Sequence, residues 1–370
     1  MKICLVTSMH SWNDDRIFER TAVGLADIGH KVFLIAPSDS SKKVEGVQII
    51  PIPIRKRLFK HILGPFDAFN ELNKIEADVF HFFNPNMMWL MKTWAKKGHY
   101  VYIDIHENYE ARIDNLLLPK FLRNIFVKGY RRLENFFCAS YKGVTVVTQS
   151  MADKLKPSGT PILVVDNVPY LKSLKSIKLA EKKNNRPTII TSGTHSSARN
   201  CINAVKALPE IVAEIPNVMM KFVGRFEPKE YENELIAKAK ELGVLDNFET
   251  EGMLPWLDNF IRVSKAQVGC VFYNDNLNNR VTLPNRLYEY MYCGLSVLGE
   301  NFPEVANVID KNQCGALVNS QDPSNIAHNA IKILTSPAKL QIQIENAKAA
   351  IYKKHNFENA LKELDRFYRR

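Results

Sequence analysis

The chain has 370 residues, 46% of them apolar and 24% charged, with 50 Lys and Arg against 39 Asp and Glu. That is ordinary globular composition, enough for two domains of roughly 150–200 residues, and it excludes a disordered or fibrous chain. Mean hydropathy is −0.20, and no apolar run approaches the roughly 20 residues that a membrane-spanning helix needs.

Taken in chain order, the first half alternates short apolar runs with helical patterns. Lys2–Val6 reads as a strand, and Asp14–Ile28 as a helix with Ile17, Phe18, Val23, Leu25 and Ala26 on its apolar side, closed by Gly29. Further strands are expected at Lys31–Ile35, Val47–Ile50, Val79–Phe82, Val101–Ile105, Val144–Val147 and Ile162–Val165. Helices are expected near Pro65–Ile75, Met87–Lys97, Lys120–Ala139 and Ser150–Lys156. Such alternation predicts a parallel sheet covered on both faces, a Rossmann-like layer structure.

A polar, lysine-rich stretch over 171–187 reads as a linker. The alternation then restarts with strands at Thr188–Ser192, Met219–Val223, Phe248–Glu251, Gln267–Val271, Ser296–Leu298 and Ala316–Val318. Between them fall helices at Asn200–Glu214, Lys229–Leu242, Pro255–Val263 and Pro284–Cys293, with more helix from Asp322 onward. The expected organisation is an N-terminal α/β domain over 1–170, a second over 188–352, and a C-terminal helix within 353–370 that can return to the first. A cleft between two such domains is the default ligand site.

The start MKICLVTSMH enters a strand at once and lacks the features of a secretory signal, which predicts a cytoplasmic protein. Six cysteines are scattered without a C-x-x-C pair, so buried thiols are expected rather than disulfides or a zinc site. A net charge of +11 favours an anionic partner, a phosphorylated small molecule or an acidic membrane surface. The absence of any zinc-finger or RNA-recognition motif sets nucleic acid aside. Neither half has a G-x-G-x-x-G fingerprint after its first strand, and no Walker A motif occurs.

The most informative segment is LPNRLYEYMYCGLSVLGENFPE, from Leu283 to Glu304. Pro284 suits the start of a helix, whose free N–H groups and positive dipole end, with Arg286, would attract an anion. Glu289, about one turn on, could accept a pair of ribose hydroxyls. An amphipathic helix with Leu287, Tyr290 and Met291 in the core is the plain alternative.

This block resembles the C-terminal signature of family-4 retaining glycosyltransferases of the GT-B fold, and is most similar to a bacterial surface-polysaccharide branch. SMHSWNDDRIFER (Ser8–Arg20), ADVFHFFNP (Ala77–Pro85), VYIDIHENY (Val101–Tyr109) and NQCGALVNSQDPSNIAHNA (Asn312–Ala330) resemble further blocks of that branch, in the same order. The resemblance implies an α/β protein of two Rossmann-like domains facing each other across a central cleft. It implies transfer of a sugar from a nucleotide-diphosphate sugar to a polysaccharide, lipid-linked or other glycan acceptor, with no metal or other cofactor.

By the same resemblance His106 matches the N-terminal-domain histidine that faces the donor sugar, and Glu289 the glutamate that holds the donor ribose. Asn285 and Arg286 match the helix start that receives the pyrophosphate. Gly193, Thr194 and Arg199 align with the first strand–loop–helix of the donor domain, Arg199 standing at the phosphate-binding basic position. Gly224 and Arg225 match the glycine turn near the nucleotide, and Met253 the loop against the base. The sequence departs from the family at Val281 (usually glutamate), Thr194 (usually arginine) and Asn200 (usually glycine). The phosphate site is therefore expected to draw on Arg199, Arg225, Arg286 or Arg280. Val281 keeps open a non-catalytic sugar-nucleotide-binding subunit, and a GT-B epimerase or phosphorylase is the rival enzyme.

His10 and His81, near predicted strand ends, and Asp14 and Arg16, at the start of the first helix, are acceptor-side candidates. For the histidines the plain alternative is structural hydrogen bonding; for Asp14 and Arg16 it is a helix N-cap and an ion pair. KFLRNIFVKGYRRLENFF (Lys120–Phe137) mixes five basic residues and one acid with large apolar ones, and Arg55–Lys60 repeats the mixture. Both read as contacts for an anionic membrane surface, or as solvated faces of domain helices.

Overall fold

A computed structural model describes residues 1–114, 119–181 and 183–370. Lys182, inside the expected linker, lies outside them. The chain divides into two compact units, Met1–Ser173 with Phe357–Arg370, and Leu174–Asn356.

The first unit is built on strands β1 (Lys2–Val6), β2 (Lys31–Pro37), β3 (Lys42–Val44), β4 (Val47–Ile52), β5 (Val79–Phe82), β6 (Val101–Ile105), β7 (Gly143–Val146) and β8 (Ile162–Val164). They form one sheet in the order β3-β4-β2-β1-β5-β6-β7-β8, parallel throughout except for the β3–β4 hairpin. Strand order reverses at β1, so a crevice opens beyond the carboxyl ends of β1 and β5. Asn84, just after β5, ties that point together, accepting from Thr7 Oγ1 at 2.7 Å and the Ser8 N–H at 2.9 Å. The central strands are buried along their length, as a sheet covered on both faces requires.

The expected helix over Asp14–Ile28 differs in its first half. Residues Asp15–Ala22 form a wide π-helical segment, and only Val23–Asp27 is α-helical. Asp14 caps it, accepting from the N–H groups of Arg16 and Ile17 at 3.0 and 2.9 Å. Two short helices, Arg57–Ile62 and Tyr109–Asp114, and the edge strand β3 lacked the length or periodicity to be read from the sequence.

The last helix, Phe357–Tyr368, packs in the first unit. Leu361 fits over Gly24, where an added Cβ would stand 3.2 Å from it, and Phe367 fits over Gly143, where an added Cβ would stand 2.5 Å away. Asp365 meets His30 Nε2 at 2.8 Å.

The second unit carries β9 (Thr188–His195), β10 (Met219–Phe226), β11 (Phe248–Glu251), β12 (Val268–Val271), β13 (Ser296–Glu300) and β14 (Gly315–Val318). They form a parallel sheet in the order β11-β10-β9-β12-β13-β14, which reverses at β9. Strands β9, β10 and β13 run past their expected ends. β9 and β10 stay paired through Gly193↔Gly224 to His195↔Phe226, because the buried His195 ring holds the extension, its Nε2 bonded to the Val223 carbonyl at 3.1 Å. All six cysteines are buried free thiols, as expected.

Candidate functional site

In the second unit a cavity of about 550 Å³ opens at the strand-order reversal, beyond the carboxyl ends of β9, β10 and β12. Gly193, Thr194, Arg199, Gly224, Arg225, Met253, Asn285, Arg286 and Glu289 all line it. Residues that lie up to 96 positions apart in sequence are thus brought to one wall. Its base is the N-terminus of the helix Asn285–Tyr292, with Pro284 as the cap residue rather than in the first turn. That helix is fixed from below: the Ser192 N–H donates to Tyr290 Oη at 2.8 Å, and Gly269 leaves room for the Tyr290 ring, where a Cβ would stand 2.5 Å from it.

Two guanidinium groups converge on one ring at this wall. Arg286 lies 4.8 Å and Arg199 5.5 Å from the centroid of Tyr273, the second residue after β12. Arg286 is 5% exposed; its Nη2 donates to the Phe272 carbonyl at 3.0 Å, and its Nε is buried without a partner. Among the described residues neither arginine has a carboxylate within ion-pair distance. Burial and the neighbouring Arg286 charge lower the Arg199 guanidinium from its usual value. Two close, uncompensated cations facing a cavity form a site for a dianion.

The other two arginines are engaged elsewhere. Arg225 stands at the rim, paired with Glu227 at 2.7 Å. Arg280 pairs with Asp275 on an exposed loop and does not line the cavity. Val281 ends a short 3₁₀ turn and is likewise absent from the lining.

The loop bearing Arg199 is held by a network that sequence reasoning missed. Asn200 adopts a left-handed conformation (φ 48°) at the start of the helix Cys201–Glu214, and its Nδ2 donates to Ser320 Oγ at 2.7 Å. Ser320 donates from Oγ and, at 3.2 Å, from N–H to the buried Glu300 carboxylate, which also accepts from the Tyr273 N–H at 3.5 Å. Tyr273 and Trp256, also in the lining, were missed too. Trp256 opens the helix Trp256–Ser264 and, with Met253 and Leu254, adds apolar surface to the lining.

The N-terminal candidates separate into two groups. His106 follows β6, its Nδ1 2.9 Å from Asp104 Oδ2 and its side chain 12% exposed. His10 lies beside it, with ring centroids 5.3 Å apart, and its Nδ1 is 3.4 Å from Asp14. His106, His10 and Asp14 therefore share one place. Arg16 and His81 are buried and engaged, as the ion-pair and structural readings of them expect. Arg16 is 6% exposed and locked in a bidentate pair with Asp104, and His81 is 1% exposed, bonded to Tyr368 Oη at 2.5 Å and Thr145 Oγ1 at 3.3 Å. Burial pushes the His81 imidazole down to about 4, so it stays neutral. Glu107 faces away, lining a small separate cavity with Glu110 and Glu134. Among the described residues no three His, Cys, Asp or Glu are grouped to hold a metal ion.

The sequence matches two family models: residues 15–168 match Glycosyltransferase Family 4, and residues 172–350 match Glycosyl transferases group 1. The chain belongs to the family-4 glycosyltransferases. Its fold is accordingly GT-B. Sucrose-phosphate synthase from Thermosynechococcus elongatus superposes on it with a TM-score of 0.76 at 14% identity, covering 100% of this chain and 98% of that one. Anabaena HepE in complex with UDP gives 0.70 at 12% identity over 99% of both chains. WaaG, a glycosyltransferase involved in lipopolysaccharide biosynthesis, gives 0.65 at 17% identity, again over 99% of both. No curated protein matches the chain.

Proposed function

We propose that this glycosyltransferase takes a nucleoside-diphosphate sugar as donor, bound in the cavity of the second unit, and transfers the sugar with retention to a polysaccharide, lipid-linked or other glycan acceptor taken by the first unit. The observation that carries the reading is the pair Arg199 and Arg286, unneutralised by any described carboxylate and stacked on Tyr273 above a helix N-terminus. Such a site suits a diphosphate, and it stabilises the charge that grows on the leaving diphosphate as the sugar bond breaks, without a metal. Glu289, on the same helix, holds the ribose, and Met253 with Trp256 covers the base. Relatives of known structure are described in complex with UDP and with UDP-glucose.

Binding to UDP-, GDP-, dTDP- and CMP-sugars, read by thermal shift, identifies the donor. With the nucleoside diphosphate that binds, Arg199→Ala and Arg286→Ala should each lose about 10- to 150-fold in affinity while the bare nucleoside is little affected. Equal losses for both ligands would remove the arginines from a phosphate site. Glu289→Ala should weaken both ligands to a similar degree. His106→Ala should lower turnover by about 30- to 1000-fold with nucleotide affinity kept. Tight donor binding without turnover by the native protein would favour the non-catalytic reading that Val281 leaves open.

The acceptor reading extends to a membrane-bound partner. The helix Lys120–Cys138 is amphipathic but turned outward: it buries Glu134 and Cys138, while Phe121, Ile125, Phe126, Leu133 and Phe136 are each more than half exposed. Exposed Lys128 and Arg132 flank them, and Lys92 stands 3.3 Å over the Phe136 ring. Apolar rings bordered by cations match the interface of an anionic bilayer. Arg131 is not part of this face, being tied to Glu110 at 2.6 and 2.7 Å. No described helix is long and apolar enough to cross a membrane. Vesicles of phosphatidylglycerol should bind the protein in a salt-sensitive manner, and the double change Lys128→Gln, Arg132→Gln should weaken binding with little loss of stability. Binding indifferent to salt and to both changes would remove this face from the reading.

A further inference from the structure

The Arg16–Asp104 pair lies outside every role assigned above. Asp104 is 2% exposed in the middle of the sheet, a position where the strand pattern calls for an apolar residue. Its carboxylate is saturated: Arg16 Nη2 and Thr145 Oγ1 donate to Oδ1 at 2.8 and 2.6 Å, and Arg16 Nε and His106 Nδ1 meet Oδ2 at 2.8 and 2.9 Å. Arg16 donates further to Asn167 Oδ1 at 2.6 Å and the Val165 carbonyl at 3.1 Å. Thr145 is the cross-strand partner of Asp104 on β7. A buried ion pair of this kind does not repay its desolvation in stability, since apolar residues of the same volume usually do as well. Of its partners His106 and Asn167 reach solvent, and of these two only His106 can carry a proton to or from a ligand.

We propose that Arg16 and Asp104 are positioning residues for His106: the carboxylate accepts a hydrogen bond from Nδ1–H and fixes the ring plane, so that Nε2 is presented outward to the reacting sugar. The inference rests on the reading of His106 as the group that meets that sugar. Arg16 keeps the carboxylate charged and immobile; a second-rank carboxylate that could rotate or take up a proton would leave the imidazole free to flip. Burial pushes the Asp104 carboxyl up, but the Arg16 charge and the hydrogen bonds from Arg16 and His106 hold it well below the usual carboxylate range. The titratable and charged groups around the pair are His10 and Asp14 from the loop after β1, Arg16 with Asp15 on the π-helical segment, His81 on β5, Asp166 after β8, and Tyr368 on the last helix.

Long-range proton–nitrogen NMR of the full chain labelled with ¹⁵N-histidine tests this without any substrate, the His106 signals being assigned by their loss in His106→Gln. At neutral pH the wild-type ring should carry its proton on Nδ1, with Nε2 bare whenever the ring is neutral. In Asp104→Asn the preference for Nδ1 should weaken, because the amide replaces one acceptor oxygen with a donor. A wild-type ring protonated on Nε2, or an unchanged tautomer preference in a folded Asp104→Asn, would overturn the proposal. Should Asp104→Asn fail to fold, the wild-type tautomer alone decides. Full turnover in His106→Ala would instead overturn the role of His106 and leave the tautomer measurement intact, so the two failures are distinguishable.

Discussion

Gly224 and Gly193 face each other across β10 and β9 so closely that a Cβ on Gly224 would stand 2.0 Å from the Gly193 carbonyl oxygen. Both residues have positive φ, 137° at Gly224 and 100° at Gly193. Both backbones line the cavity of the second unit with no side chain at either position. Gly224→Ala must push the strands apart, which should cost about 3 kcal/mol or more and weaken nucleotide binding. Urea melts and nucleotide titration of the variant check both effects, and an unperturbed Gly224→Ala would show the pair to be looser than this geometry.

Tyr273 gives the two arginines their common surface. Its ring face meets both guanidinium groups, so Tyr273→Phe should keep most nucleoside-diphosphate affinity. Tyr273→Leu removes the ring quadrupole and should weaken diphosphate binding by about 1 kcal/mol, or roughly five- to tenfold, read by calorimetry.

Asn200 occupies a left-handed position where the family usually has glycine, and the change is intelligible, since asparagine is among the few side chains that tolerate φ near 48°. Its amide adds the bond to Ser320. Asn200→Ala should therefore cost about 2 kcal/mol, from backbone strain and an orphaned buried partner, while Asn200→Gly should cost less. Chemical denaturation of both variants gives the ordering, and an Ala variant as stable as the Gly variant would contradict it.

Glu134 sets a pH dependence for the first unit. Burial raises its carboxyl to about 7, although a hydrogen bond from Tyr130 and the charges of Lys154 and Arg131 oppose the rise and Glu110 adds to it. Since the folded state holds the proton more tightly than the unfolded chain, the contribution is complete below about pH 4.5 and is lost as pH rises towards 7. Glu134→Gln, neutral throughout, should lack this slope. The stability difference between wild type and variant should move by roughly 2–3 kcal/mol between pH 4.5 and 7.5 in denaturant melts.

Much of this molecule could be read from its residues. Parallel strands buried on both faces are written as continuous apolar runs, so the two sheets and most of their helices were legible, and the donor-side residues carried by the family resemblance all line one cavity. What stayed hidden was long-range polar pairing. Asp104 sits inside an apolar strand and looks like an interruption until Arg16, 88 positions away, is seen to clamp it. Tyr273 looks like any residue after a strand until two distant arginines close on its ring. For Arg16 and His81 the sequence offered an ion pair and structural hydrogen bonding beside the acceptor role, but not the partners, Asp104 and Tyr368, which come from other elements.

The last helix of the first unit has a consequence for how the protein is made. In order of synthesis the second unit, residues 174–356, is complete before Phe357–Arg370 of the first has been added. Until that segment emerges, the hollow over Gly143 has no Phe367, the hollow over Gly24 has no Leu361, and His81 has no Tyr368. Translation therefore reverses the usual order in which domains mature, and the unit begun first is finished last.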